Sequence, residues 1–261
     1  MKEKDQDKKI AEPETVWVAL EGENIPIRLD DDEDEAVGLL PDQRLVVLNR
    51  PDSLSAEQIR VLSTKIIQVH TNQPTFILAI TSAIKGEGKT FTAFNLAVTL
   101  ARDFDQKVLL IEGDLKRPSF HTYLKGGPAL GLVDVLAGRS SAESCWISLC
   151  HHRLRILQAG NLVEQSTRLL SSEMMSALIR QMREQFRYII LDTPPILPLA
   201  DMNIFSQWSD GILLVVQAGK TPRSLVKKAI VSLSSEKVIG AVLNGIKPTF
   251  SKYYYGAYYK E

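Results

Sequence analysis

The sequence predicts an α/β fold: a doubly wound, mostly parallel sheet with helices on both faces. Three observations predict it. Short apolar runs able to fill both faces of a strand alternate with helical stretches, the pattern of a parallel sheet covered on both sides. The stretch Ala83-Ile-Lys-Gly-Glu-Gly-Lys-Thr90 is a glycine-rich phosphate loop placed between an apolar run and a helix. Two further strand-like runs end in acids, at Glu112-Gly113-Asp114 and at Asp192, where open α/β sheets bind ligands. Together these define the fold class as a P-loop NTPase.

The elements follow in order. Ser55 and Gln58 have capping-box spacing, and Ile59, Leu62, Ile66 and His70 recur at helical intervals. Phe76 to Ile80 reads as the first buried strand. Further strands are expected at Val108–Ile111, Tyr188–Leu191, Ile212–Val216 and Val238–Leu243, with a short one at 154–158. The helices between them are expected at Thr92–Arg102, Glu173–Gln185 and Ser224–Leu233.

Order is expected from near Ser55, which divides the chain into an acidic, flexible extension (1–52), a nucleotide domain (53–248) and a flexible tyrosine-rich tail (249–261). The extension contains the unbroken acidic run Asp30 to Glu35, whose like charges resist packing. Two apolar pieces within it, Val16 to Leu20 and Leu45 to Leu48, are suited to an edge strand or a groove. The tail holds Tyr253, Tyr254, Tyr255, Tyr258 and Tyr259, five of seven tyrosines in the chain, with little beside them to bury their rings.

Composition narrows the function. The 261 residues are 44% hydrophobic, enough for a full core, and carry no net charge, which removes the bulk electrostatic case for nucleic acid. Cys145 and Cys150 lack the ligand set of a zinc site and suit a reducing compartment. No apolar run approaches the ~20 residues needed to span a bilayer, and the chain opens on charged residues, so a cytoplasmic protein is expected.

The candidate ATP-binding stretch is Ala83, Ile84, Lys85, Gly86, Glu87, Gly88, Lys89, Thr90 and Phe91. Its glycines permit close approach of backbone N–H groups to phosphate. Lys89 is expected to reach the β- and γ-phosphates and the Thr90 hydroxyl to ligate Mg²⁺. Asp114 and Asp192 are the further metal-site acids; Glu112, Asp114, Asp192 and Lys89 are the catalytic candidates. Thr193 and the prolines after it form a stiff turn suited to sensing the γ-phosphate, and Asn244 is the one candidate for reading the base.

With these motifs in place, the chain resembles the bacterial protein-tyrosine kinases of capsule and exopolysaccharide export, P-loop proteins related to the partition and division-site ATPases. The resemblance rests on Ser82–Thr90, Leu110–Pro118, Gly131–Gly138, Ile189–Pro195, Asp210–Thr221 and the tyrosine tail. It implies transfer of the γ-phosphoryl group of Mg²⁺–ATP to the tail tyrosines of a neighbouring subunit in a ring. It also implies a membrane-embedded activator on a separate chain, a cognate tyrosine phosphatase, and recruitment to the inner face of the membrane.

Glu57 and Arg60 match the assembly motif of the family, while Ser63 stands in place of a second arginine. Glu112 stands where the family has an aspartate that helps deprotonate the acceptor, so Glu112→Asp is expected to retain or improve transfer. Two alternatives remain open from sequence: a partition-type ATPase switch, disfavoured because Ile84 occupies the position of that class's second lysine, and a nucleotide-binding assembly factor with lost chemistry.

Overall fold

The structure, a computed structural model, describes residues 19–20, 42–70, 73–124, 130–161, 166–197, 201–233 and 235–246. The acidic run Asp30 to Glu35 and the five tail tyrosines lie outside the described residues. The strands are β1 (Ala19–Leu20), β2 (Phe76–Ser82), β3 (Val108–Glu112), β4 (Trp146–Leu149), β5 (Leu154–Leu157), β6 (Tyr188–Asp192), β7 (Gly211–Gln217) and β8 (Val238–Asn244). They form one sheet in the order β1-β8-β7-β2-β6-β3-β5-β4. Every pairing is parallel except that of β4 with β5.

Apolar runs without alternation become central strands because both of their faces are covered. Every residue of β2, β3 and β6 is buried. On one face the core joins Phe76, Leu78 and Ile80 to α1 (Val46–Asn49), α2 (Leu54–Val69) and α3 (Lys89–Arg102). On the other, Ile77 and Ala79 join residues of α4 (Leu132–Leu136), α5 (Ser166–Leu170), α6 (Glu173–Gln185), α7 (Asp201–Trp208) and α8 (Arg223–Ser232).

The parallel register alone sets the level of the functional end. Ile80 and Glu112 both pair with Asp192, so the loop after β2 and the acids ending β3 and β6 emerge side by side.

Several sequence expectations shift. The cap of α2 is Ser53, whose hydroxyl accepts the Ala56 N–H at 3.2 Å; Ser55 is already inside the helix and buried. Packing begins earlier than Ser55. Leu45 and Val47 are fully buried, because the carboxamide of Asn95 on α3 holds the backbone that carries them. It accepts from the Val47 N–H at 3.3 Å and donates to Arg44 O at 2.9 Å. Upstream, Ala19 and Leu20 pair with Leu243 and Asn244 as the edge strand. The piece Leu45 to Leu48 and the described end of the other, Ala19 and Leu20, therefore join the domain.

If Leu45 is part of this core, Leu45→Ala will lower the unfolding free energy by about 2–4 kcal/mol, read as a shift in the midpoint of urea denaturation. An unchanged midpoint would mean that the segment only rests on the surface.

Candidate nucleotide and metal site

The loop from Ala83 to Gly88 leaves β2 and turns directly into α3, whose first residues are Lys89 and Thr90. Its two left-handed positions fall on Gly86, at φ 87°, and Gly88, at φ 95°. Ala83 has no positive φ, so alanine costs nothing where glycine is more usual. Lys85 and Gly86 form the exposed rim. Phe91 is partly buried against the core, and its carbonyl accepts from Asn95.

Glu87, in the middle of the loop, is 1% exposed, which is unusual for an acid beside a phosphate site. Its carboxylate is filled by donors. The Ile84 N–H reaches Oε2 at 2.7 Å, while the Gln217 N–H at 3.2 Å and the Thr221 hydroxyl reach Oε1. Asn244 donates its amide to Glu87 O at 2.9 Å. The loop is thus fastened to the ends of β7 and β8. In sequence, Thr221 stands out only as the end of a motif and Asn244 only as a base reader; the bonds here give both a bracing role.

Behind the loop sits a buried charged cluster. Lys89 Nζ lies 3.3 Å from Asp114 Oδ2 and 3.5 Å from Asp192 Oδ1. The Thr90 hydroxyl donates to Asp192 Oδ2 at 2.7 Å. Burial is the largest influence on Lys89 and works against its charge, but Asp192 and Asp114 outweigh it and raise its pKa above the ordinary lysine value. Burial likewise raises the pKa of Asp192, with Lys89 and Thr90 pulling it back. Asp114 begins the turn after β3 and accepts the Arg117 N–H at 3.1 Å.

Two residues behave differently from their sequence reading. Thr193 is fully buried and its hydroxyl donates to Ile80 O at 2.9 Å, so it braces β2 against β6 instead of facing the loop. Glu112 is the last residue of β3, not a residue beyond it. Its Oε1 accepts from the Ser119 N–H and from the Phe120 N–H at 2.7 Å, and its Oε2 accepts the Ala159 N–H at 2.9 Å. Burial raises its pKa, opposed by these same bonds.

The residues present fit a nucleotide-bound Mg²⁺. Asp192 Oδ1 is buried with no hydrogen bond, its ion pair to Lys89 being the long one at 3.5 Å, so it keeps the capacity to accept from a metal-bound water. No group of three or more His, Cys, Asp or Glu gathers among the described residues. Mg²⁺ keeps several waters and takes its remaining oxygens from phosphate, so one hydroxyl and nearby carboxylates are enough protein for it. Thr90 would hold the ion, with Asp192 and Asp114 holding its waters. Bound there, it would neutralise charge developing on the phosphates.

Away from this cluster, α2 brings Glu57 and Arg60 together at 3.2 Å, and Arg60 also reaches Asp103 at 3.0 Å.

Residues 75–230 match the AAA domain family. The chain is 37% identical over 218 residues to the tyrosine-protein kinase YwqD of Bacillus subtilis, covering 82% of this chain and 92% of that one. It is 35% identical over 219 residues to the succinoglycan biosynthesis transport protein ExoP of Rhizobium meliloti; the match takes in 81% of this chain but only 28% of that longer protein. Among solved structures, the kinase domain of the Escherichia coli tyrosine kinase ETK superposes with a TM-score of 0.72 at 27% identity, covering 77% of this chain and 80% of that one.

The brace on the loop is open to test at Gly88. A Cβ there would stand 1.9 Å from Asn244 Nδ2, on a residue forced to keep φ at 95°. Gly88→Ala is expected to strain the loop by about 1–3 kcal/mol, lowering the affinity for Mg²⁺–ADP in equilibrium titration. Gly86→Ala, with nothing within 4 Å of the added carbon, should bear only the cost of its backbone angle.

Proposed function

The chain belongs to the bacterial tyrosine-protein kinases, and on that premise we propose that it passes the γ-phosphoryl group of Mg²⁺–ATP to tyrosines in its own tail. The acceptors are Tyr253, Tyr254, Tyr255, Tyr258 and Tyr259, presented by one copy to the site of another. The observation that carries this reading is the preassembled cluster of Lys89, Asp114, Asp192 and Thr90 at the N-terminus of α3.

Each residue of the cluster has a task. The first turn of α3 directs unpaired N–H groups and partial positive charge at the phosphates. Lys89, held charged by two carboxylates, exchanges part of that pairing for the β- and γ-phosphate oxygens. The acceptor phenol oxygen bonds to the γ-phosphorus as the β–γ bridging bond breaks, and ADP leaves with the bond electrons. The phenolic proton goes to Asp114, the carboxylate of the turn after β3 that stands beside Lys89. In a loose transition state this transfer makes modest demands on the base, and positioning supplies most of the rate.

Phosphorylation would add about −1.5 to −2 charges per tyrosine, enough to drive the tail from an acid-lined site. That cycle gives a means of regulating polymerisation and export of a capsule or exopolysaccharide. No helix among the described residues is long and apolar enough to cross a membrane. In the proposed system a membrane-embedded activator on a separate chain recruits the kinase to the inner face of the membrane, a homo-oligomeric ring presents tails in trans, and a cognate phosphatase resets them. Nucleic acid has no part.

The test is mass spectrometry of the tail peptide after incubation with Mg²⁺ and ATP, with a membrane activator supplied. Phosphate is expected on tail tyrosines, and Lys89→Met should reduce its rate of appearance by about 10²–10³-fold. Steady phosphate release with an unmodified tail would overturn the kinase reading and favour an ATPase switch.

A further inference from the structure

We infer that Ser119 is a further hydroxyl of the Mg²⁺–nucleotide site and that Glu112 is the positioning residue that holds it there. The inference rests on the reading of the site as one for Mg²⁺–ATP and assigns it a residue outside the recognised motifs.

The geometry begins at Thr90. Its Oγ1 lies 3.3 Å from Ser119 Oγ and donates its proton to Asp192 Oδ2 at 2.7 Å. With the Thr90 proton committed to Asp192, Ser119 is the donor in the pair. Its oxygen lone pairs are then left for another partner on the side where Thr90 would meet the ion. A second hydroxyl there can accept from a metal-bound water and order it.

The placement is built, not incidental. The turn Ser119–Tyr123 is held from beneath by Glu112, which takes the N–H groups of both Ser119 and Phe120 on one oxygen. The Phe120 ring is anchored in the core against Phe94, with centroids 4.5 Å apart. From above, Arg44 donates to Thr122 O at 2.6 Å and stacks its guanidinium 3.9 Å over Tyr123. The other oxygen of Glu112 ties the same assembly to Ala159. Ala159 O and Gln158 O in turn accept the N–H groups of Val133 and Leu132. A carboxylate with both oxygens occupied by main-chain donors is poorly placed to take a proton from a substrate. It is well placed to fix loops whose side chains face the metal.

This reverses the expectation for Glu112→Asp. The shorter side chain cannot span Ser119, Phe120 and Ala159 together, so it should impair the site.

The experiment measures equilibrium affinity for a fluorescent ADP analogue with and without Mg²⁺, alongside tail phosphorylation. Wild type is expected to gain affinity with Mg²⁺. Ser119→Ala should lose about 3- to 10-fold of that gain, the worth of one hydrogen bond, with metal-free affinity unchanged; Ser119→Thr should restore it. Glu112→Gln and Glu112→Asp should show a loss of similar size, and Glu112→Gln combined with Ser119→Ala should be no worse than Glu112→Gln alone. If Ser119→Ala keeps the full Mg²⁺ gain, the inference fails while the site reading stands. If Glu112→Gln keeps that gain and loses only phosphoryl transfer, Glu112 is a base and the positioning role is wrong. Absence of any Mg²⁺ gain in wild type would overturn both the inference and the site reading.

Discussion

Everything at the functional end depends on the Lys89 ammonium standing between two buried carboxylates. Asp192 is 1% exposed and Asp114 is 5% exposed; neither is stable there as an anion without a close cation. Lys89 supplies it from the first turn of α3, and the pairing keeps the lysine charged although burial opposes this. The two carboxylates also repel each other, so removing the cation would leave two uncompensated charges. The parallel register makes the arrangement possible, since it brings the ends of β2, β3 and β6 to one level. A phosphate chain entering the loop competes for the same ammonium, and a divalent cation then takes over the compensation of the acids. Resting and loaded sites are thereby two ways of balancing one set of charges.

Two buried glutamates frame that cluster, and both are spent on bracing loops. Glu87 binds the phosphate loop to the end of β7 and the turn after it, and Glu112 binds the turn after β3 to Ala159, just beyond β5. A carboxylate offers about four acceptor positions, so one side chain can join loops that share no regular secondary structure. The cost of burying each charge is offset by three donors, main-chain N–H groups apart from the Thr221 hydroxyl, in bonds stronger than those between neutral groups. Loops around a nucleotide site must be rigid without helix or strand ladders, and these acids provide that rigidity.

The central sheet and the phosphate loop were legible because their signals are local. Fully buried strands show as unbroken apolar runs, and Gly86 and Gly88 mark the left-handed turns that the loop requires. The helix Glu173–Gln185 keeps the bounds expected of it, and Ser172 caps it, its hydroxyl accepting the Met175 N–H. Other features were hidden for physical reasons. β4 is a four-residue antiparallel edge with alternate burial, too short for its period to stand out. The apolar piece Leu45 to Leu48 was visible as one suited to docking, but where it docks depends on Asn95, a partner nearly fifty residues away. Glu112 looked like a chemical acid because sequence reports residue type and position after a strand. Where its oxygens point depends on Ser119, Phe120 and Ala159, whose backbones meet only in the fold.

The surface of α2 separates recognition of a motif from its geometry. Arg60 resembles an assembly residue, yet in a single chain it is already bonded to Glu57 and Asp103. Position 63, where a second arginine would complete the motif, is fully buried, and its serine donates to Ile59 O within the helix. An arginine placed there would have to lead its charge out of the core, whereas serine satisfies itself locally. In the proposed ring, contact through this helix would rest on Arg60 and on exposed neighbours such as Val61, 40% accessible on the same helix. A partner's acid gains from Arg60 only the difference between intersubunit pairing and the intrachain pair it replaces. Exposed pairs are worth about 0–1 kcal/mol, so that difference is small and cannot by itself hold a ring. Apolar contact along α2, or tethering of neighbouring copies by the proposed membrane activator, has to supply the rest.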